Sequence, residues 1–321
     1  MAYADRPGGL SEFARYGFVD LSGTVGKLDQ LVALVGDAGR SAVAALALAP
    51  DPDQALNALL DFAERDKSAI KKLLNKHDQA VRLCAVLGAS KALTDFLRRH
   101  PDALSVFEKA HSIDLGPDRY RELISSQVTP MLKDGFSTPD AWNLLRKAYR
   151  VELLKIAIFD LTSPAPQEAL PIVAAALADI AGGAIEAGLA IARAELRFTR
   201  DHGVFTELEI DATRIAVMAM GKCGARELNY ISDVDVIYVA ESSSPDVENH
   251  RAVEVATKLA TRMMRAMDGA ASEPDLWQVD PNLRPEGKSG ALVRTLESHV
   301  AYYDRWAESW EFQALLKARP I

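Results

Sequence analysis

From about residue 27 to residue 200 apolar side chains recur at three- and four-residue intervals, the period of helices that bury one face. Leu56, Leu59, Leu60 and Ala63 follow Asp53, and this spacing predicts a short amphipathic helix capped by that aspartate. Ser90 predicts the cap of a helix presenting Leu93, Phe96 and Leu97. It stops at His100-Pro101, because the residue before a proline avoids the helical region. Thr138-Pro139-Asp140 predicts a cap with a first-turn proline, opening a longer helix through Leu144, Leu145, Ala148, Leu153 and Ile156 that is broken between Asp160 and Pro166. A further helix is expected from about Gln167 to Arg197, alanine- and glycine-rich enough for close packing, with a bend at Gly182-Gly183. The charges from Glu64 to Lys67, with Lys71, Lys72 and Lys76, read as a solvated helix face.

Near Phe205 the period changes. Ile215 to Met220 is a short, fully apolar run ending at Gly221, the pattern of a buried strand. Asp233 to Val239 alternates polar and apolar before turning wholly apolar, a second strand with one end leaving the core. Helical spacing returns from Val253 to Met267, and a third strand is expected at Leu276–Asp280. The fold class is therefore α+β: a mostly helical region followed by a small sheet domain. The expected division is an extended or loosely ordered N-terminus over 1–26, a helical domain over 27–202 and the sheet domain over 203–321.

Composition narrows the function. A formal net charge of −8 and a pI near 5.4 exclude a general nucleic-acid scaffold, whose phosphate affinity needs a lysine and arginine excess. The two cysteines, Cys84 and Cys223, are far apart and lack neighbours at metal-ligand spacing, which fits a reducing cytoplasm. Met1 to Gly9 lacks the basic start and apolar core of a secretory signal. Ala169 to Ala192, the most apolar stretch, is interrupted by Asp179, Gly182, Gly183 and Glu186 and is expected to be too polar to span a bilayer. The expectation is a soluble protein without a membrane partner.

The chemistry lies between Gly221 and Asp235. Residues two apart on a strand share a face, so Asp233 and Asp235 project together while Val234 and Val236 enter the core. Paired hard oxygen donors suit Mg²⁺, which binds through one or two carboxylates plus substrate phosphate oxygens. Asp280 could complete the set if its strand lay beside the second one, an ordering the chain alone does not give. Gly221 and Gly224 flank Lys222 immediately after a strand, where the backbone can approach a phosphate and lysine adds charge; the spacing is not that of a Walker loop. Arg284, with Lys288 and Ser289, could add charge-assisted contacts. Each feature has a structural reading of its own: Asp-x-Asp as a strand edge, Lys222 as a surface lysine, Arg284 as an ion-pair partner. Jointly they point to a metal-dependent nucleotidyltransferase.

The run Gly221-Lys-x-Gly-x-Arg-Glu-Leu-Asn-Tyr-x-Ser-Asp-x-Asp235 resembles the signature of the glutamine synthetase adenylyltransferases, within the polymerase-β-like nucleotidyltransferase superfamily. The likeness extends to Leu87-Gly-Ala-Ser-Lys-Ala-Leu, to the segment from Leu144 to Asp160, to Val279–Leu292 and to Trp310–Ile321, thus to most of the chain beyond residue 50. Phe159-Asp160 departs from it, since Arg-Asp is usual there. The family resemblance implies metal ligation by Asp233, Asp235 and Asp280, and nucleotide or phosphate contacts from Gly221, Lys222, Ser232 and Arg284. It implies Mg²⁺, phosphate and ADP or ATP as cofactor and reactants, glutamine synthetase as partner, and a PII signalling protein as a further one. The wording Glu227-Leu-Asn-Tyr230 resembles the N-terminal, AMP-removing copy of this domain, and the end at Ile321 suggests a fragment cut before a helical bundle. AMP attachment from ATP, or a non-catalytic fragment that binds glutamine synthetase or PII, are the alternatives.

Overall fold

The computed structural model describes residues 9–198 and 204–321, and the chain falls into two compact units. The first comprises the chain up to Ile113 together with Leu153–Leu170; the second comprises Asp114–Glu152 and Pro171–Ile321. This differs from a helical domain ending at residue 202, a boundary that itself lies outside the described residues. Helices before the sheet belong to the sheet's unit because long-range hydrogen bonds tie them there, above all from Arg146.

The first unit is built from short helices: α1 (Gly9–Arg15), α2 (Leu21–Val35), α3 (Asp37–Leu46), α4 (Pro52–Arg65), α5 (Lys67–Leu74), α6 (His77–Ala89) and α7 (Lys91–Arg99), followed by a 3-10 turn over Pro101–Glu108. Two expectations are corrected here. Of the stretch 1–26, expected to be extended, residues 9–15 and 21–26 are helical, while Met1–Gly8 lie outside the described residues. Asp20 caps α2 by accepting from the Gly23 amide, and buried Thr24, Leu28, Leu31 and Val35 line its inner face. The cap of α4 is Asp51 rather than Asp53, because Pro52 takes the first helical position and leaves Asp51 to accept from the Gln54 amide at 2.8 Å. The Asp53 carboxylate instead accepts from the Val19 amide at 2.7 Å. Ser90 caps α7 and His100 ends it, and the Glu64–Lys76 charges are exposed, as the sequence predicts.

The second unit contains α8 (Pro117–Val128) and shares two long helices with the first, α9 (Thr138–Thr162) and α10 (Pro166–Phe198). By length and composition α10 does qualify as a membrane-crossing helix, contrary to the sequence expectation. Yet 72% of its most apolar window is buried inside the fold, the condition of a core helix. Then follow α11 (Glu207–Ala212), β1 (Thr213–Ala219), the one-turn α12 (Gly221–Gly224), β2 (Val234–Ser242), α13 (Asn249–Asp268), β3 (Val279–Asp280), β4 (Val293–Arg294), α14 (Leu296–Arg305), α15 (Ser309–Leu315) and β5 (Arg319–Pro320). The sheet order is β3-β2-β1-β5, with β4 also pairing β2. β1 runs antiparallel to β2 and β5, whereas β3 and β4 run parallel to β2. α13 buries Val255, Leu259 and Met263 from one face, and Val255 and Leu259 join Ala192, Leu196 and Ile210 in one cluster.

Candidate active site

Strand pairing decides what the sequence could not. Asp235 lies opposite Asp280 in the parallel β2–β3 pair, so the two carboxylates stand on adjacent strands at the same level. Asp233 immediately precedes β2 on the same alternation, while Val234 and Val236 are fully buried beneath. One carboxylate oxygen from each of Asp233, Asp235 and Asp280 lies within 4.8 Å of the others, with Asp233 exposed and the other two half-buried. The third strand is shorter than expected: Leu276–Gln278 is irregular, and only Val279 and Asp280 pair. One Asp280 oxygen accepts from the Asn282 amide at 2.7 Å, which orients the carboxylate at the strand end.

Three acids this close disfavour one another's charge. The Asp235 carboxyl is pushed above its ordinary value, first by burial and then by the Asp233 and Asp280 carboxylates, with Lys222 acting the other way. A divalent cation removes that conflict, and three hard oxygen donors are the set that suits one.

The glycine turn closes the site from the β1 side. The Met220 amide donates to the Asp235 carbonyl at 2.8 Å, and Gly221 follows with φ +51°. A Cβ on Gly221 would come 2.4 Å from Asp235 Oδ2, so only glycine lets this backbone lie against the carboxylate. Lys222 is exposed beside it and Ser232 is half-buried next to Asp233. Arg284 turns its guanidinium into its own loop. Its buried guanidinium donates to the carbonyls of Pro281, Lys288 and Gly290, shaping the loop that carries exposed Lys288 and Ser289. Sequence reasoning passed over Asp179 and Arg319. Asp179 accepts both forks of Arg226, and Arg319 donates to the carbonyls of Cys223 and Gly224. The available signal for Asp179 was a charge inside the apolar run of α10.

A mixed sheet with an acid pair at the head of one strand, a third acid in register on the next and a glycine turn over them is the arrangement of a nucleotidyltransferase fold. The family model for glutamate-ammonia ligase adenylyltransferase matches residues 80–321. A bifunctional glutamine synthetase adenylyltransferase/adenylyl-removing enzyme of Leifsonia xyli subsp. xyli is 44% identical over 316 residues, covering 97% of this chain and 31% of its own length. The protein of the same name in Streptomyces coelicolor is 39% identical over 97% of this chain and 30% of its own, and that of Mycobacterium avium 43% identical over 86% and 26%. The chain belongs to the glutamate-ammonia ligase adenylyltransferase family, and it spans about a third of the length of the curated relatives it matches.

Proposed function

We propose that this chain removes AMP from an adenylylated tyrosine of glutamine synthetase by phosphorolysis, with Asp233, Asp235 and Asp280 as ligands of Mg²⁺. The observation that carries the reading is the meeting of these three carboxylates beneath the left-handed turn at Gly221. The direction is supported by the Glu227-Leu-Asn-Tyr230 wording, and the substrate by the names of the relatives. A cation held there would supply charge neutralisation on the phosphate oxygens. The chain's own groups do the rest: the Gly221 backbone admits a phosphate closely, Lys222 and Ser232 offer charge and a hydroxyl, and the Arg284-shaped loop presents Lys288 and Ser289. In the reaction, an oxygen of hydrogenphosphate bonds to the α-phosphorus and the bond from that phosphorus to the phenolic oxygen breaks. The proton of the phosphate passes to the phenolate, yielding ADP and unmodified tyrosine. The phenol, with an ordinary pKa of about 10, leaves readily once its charge is offset.

The test is incubation of this chain with adenylylated glutamine synthetase, MgCl₂ and orthophosphate, with ADP followed by chromatography. ADP should appear in step with loss of protein-bound AMP, and Asp235→Asn should abolish both. An equal rate for Asp235→Asn would overturn the catalytic reading. Transfer of label from α-labelled ATP to unmodified glutamine synthetase, without ADP release from the modified form, would establish attachment instead.

A further inference from the structure

α10 carries a carboxylate where its surroundings are apolar. Asp179 has 1% of its side chain exposed, and Ala176, Leu177, Ala178, Ile180 and Ala181 around it in sequence are all buried. A buried carboxylate is costly unless paired and hydrogen-bonded, and here two arginines from different segments supply the charge. Arg226 donates from Nε to Oδ1 at 3.2 Å and from Nη2 to Oδ2 at 2.6 Å, the two-pronged geometry of a guanidinium on a carboxylate. Arg319, on β5, places its Nη2 4.0 Å from Oδ1.

Both arginines act on the turn that forms the site. Arg226 ends that turn with φ +58°, a left-handed conformation that a non-glycine residue holds only when its surroundings impose it. Arg319 donates to the Cys223 carbonyl at 3.1 Å and the Gly224 carbonyl at 3.2 Å. Gly224 is pressed so closely against the C-terminal segment that a Cβ on it would meet the Lys317 carbonyl at 2.0 Å. The other end of the same turn is Gly221, packed on Asp235 Oδ2. We propose that Asp179 is a positioning residue for the site: through Arg226 and Arg319 it fixes the 221–226 turn and thereby the direction of the Asp235 carboxylate. The inference rests on the reading of Asp233, Asp235 and Asp280 as cation ligands. It adds that their preorganisation is set on a helix that contributes no ligand.

The test is calorimetric titration of Mn²⁺ into this chain and into Arg226→Lys, Arg319→Lys, Asp235→Asn and Val255→Ala. Lysine keeps the charge in each arginine variant but loses the fork, so two independent variants probe the link without burying an unpaired carboxylate. Each is expected to weaken Mn²⁺ binding about 10-fold, the lower end for groups that orient metal ligands. Val255→Ala, a core truncation on α13, should lower the unfolding temperature yet leave the affinity unchanged. Wild-type affinity in both arginine variants, or equal weakening by Val255→Ala, would overturn the positioning role while leaving the carboxylate site standing. Absence of Mn²⁺ binding by the wild-type chain, or equal binding by Asp235→Asn, would remove the ligand reading and this inference with it.

Discussion

The two units spend their arginines differently. In the first, Arg40, Arg65 and Arg98 reach acids on helix surfaces, mostly one turn away, and both partners keep contact with water. Arg82 differs from these: it is buried and donates to the Phe107 carbonyl as well as to Asp78 one turn away. The second unit has such surface pairs too, as at Arg119–Glu122 and Arg121–Asp118, but several of its arginines instead donate to backbone carbonyls, most of them far along the chain. Fully buried Arg146 donates to Ala266, Gly269 and Glu273, Arg150 to Pro274 and Asp275, Arg284 to its own loop and Arg319 to the glycine turn. The difference follows from what each unit contains. Helices satisfy their own carbonyls, whereas the stretch from Gly269 to Gly290 has only two strand residues, and buried carbonyls there need donors from elsewhere. That irregular backbone flanks the two residues of β3 whose pairing sets Asp280 beside Asp235, and arginine is what makes it tolerable.

Substitutions break this contrast in graded steps. Arg146→Ala should be the most damaging, about 3–5 kcal/mol by chemical denaturation, because it strands several buried carbonyls at once. Gly221→Ala comes next, at about 1–3 kcal/mol for a side chain forced into positive φ. It should cost more in turnover than in stability, because the new methyl meets Asp235. In the first unit, Asp51→Ala removes only a local cap and should cost about 1 kcal/mol, read from the thermal midpoint. A smaller change of opposite sign is expected for Asp235→Asn without divalent cations. Its folded-state value is raised, so the charged form opposes folding above that value. The variant should therefore melt slightly higher at pH 7, and the gain should shrink once the pH falls below the raised folded-state value and be gone below the ordinary carboxylate value. Lys72→Ala, which removes an exposed pair with Glu108, should change stability by about 0.5 kcal/mol or less.

Local signals were legible and tertiary ones were not. Ser90 and His100-Pro101 mark helix ends through backbone chemistry contained in two or three residues, and the structure keeps both. At α9 the expected cap Thr138 is instead the first helical residue, Ser137 accepts from the Asp140 amide at 3.4 Å in its place, and Pro139 sits in the first turn as expected. The shared face of Asp233 and Asp235 follows from strand alternation alone. The cap of α4 expected at Asp53 lies two residues earlier, because Pro52 in the first helical position leaves Asp51 as the cap. The N-terminal helices were hidden because Gly23 and Gly26 blur the pattern of α2. The register that sets Asp280 against Asp235 is fixed by pairing between segments over forty residues apart, which no local pattern encodes. Arg284 illustrates the same limit: its charge was visible, but its direction depends on which carbonyls the loop leaves without donors.

Three carboxylates, two at the head of β2 and one on β3, stand close enough to hold one cation. The most direct measurement is anomalous diffraction from crystals of this chain grown with Mn²⁺. A peak bonded to oxygens of Asp233, Asp235 and Asp280 together, at distances of roughly 2.0–2.3 Å, is the expected result. A strong peak bound elsewhere, with these side chains turned apart, would contradict it.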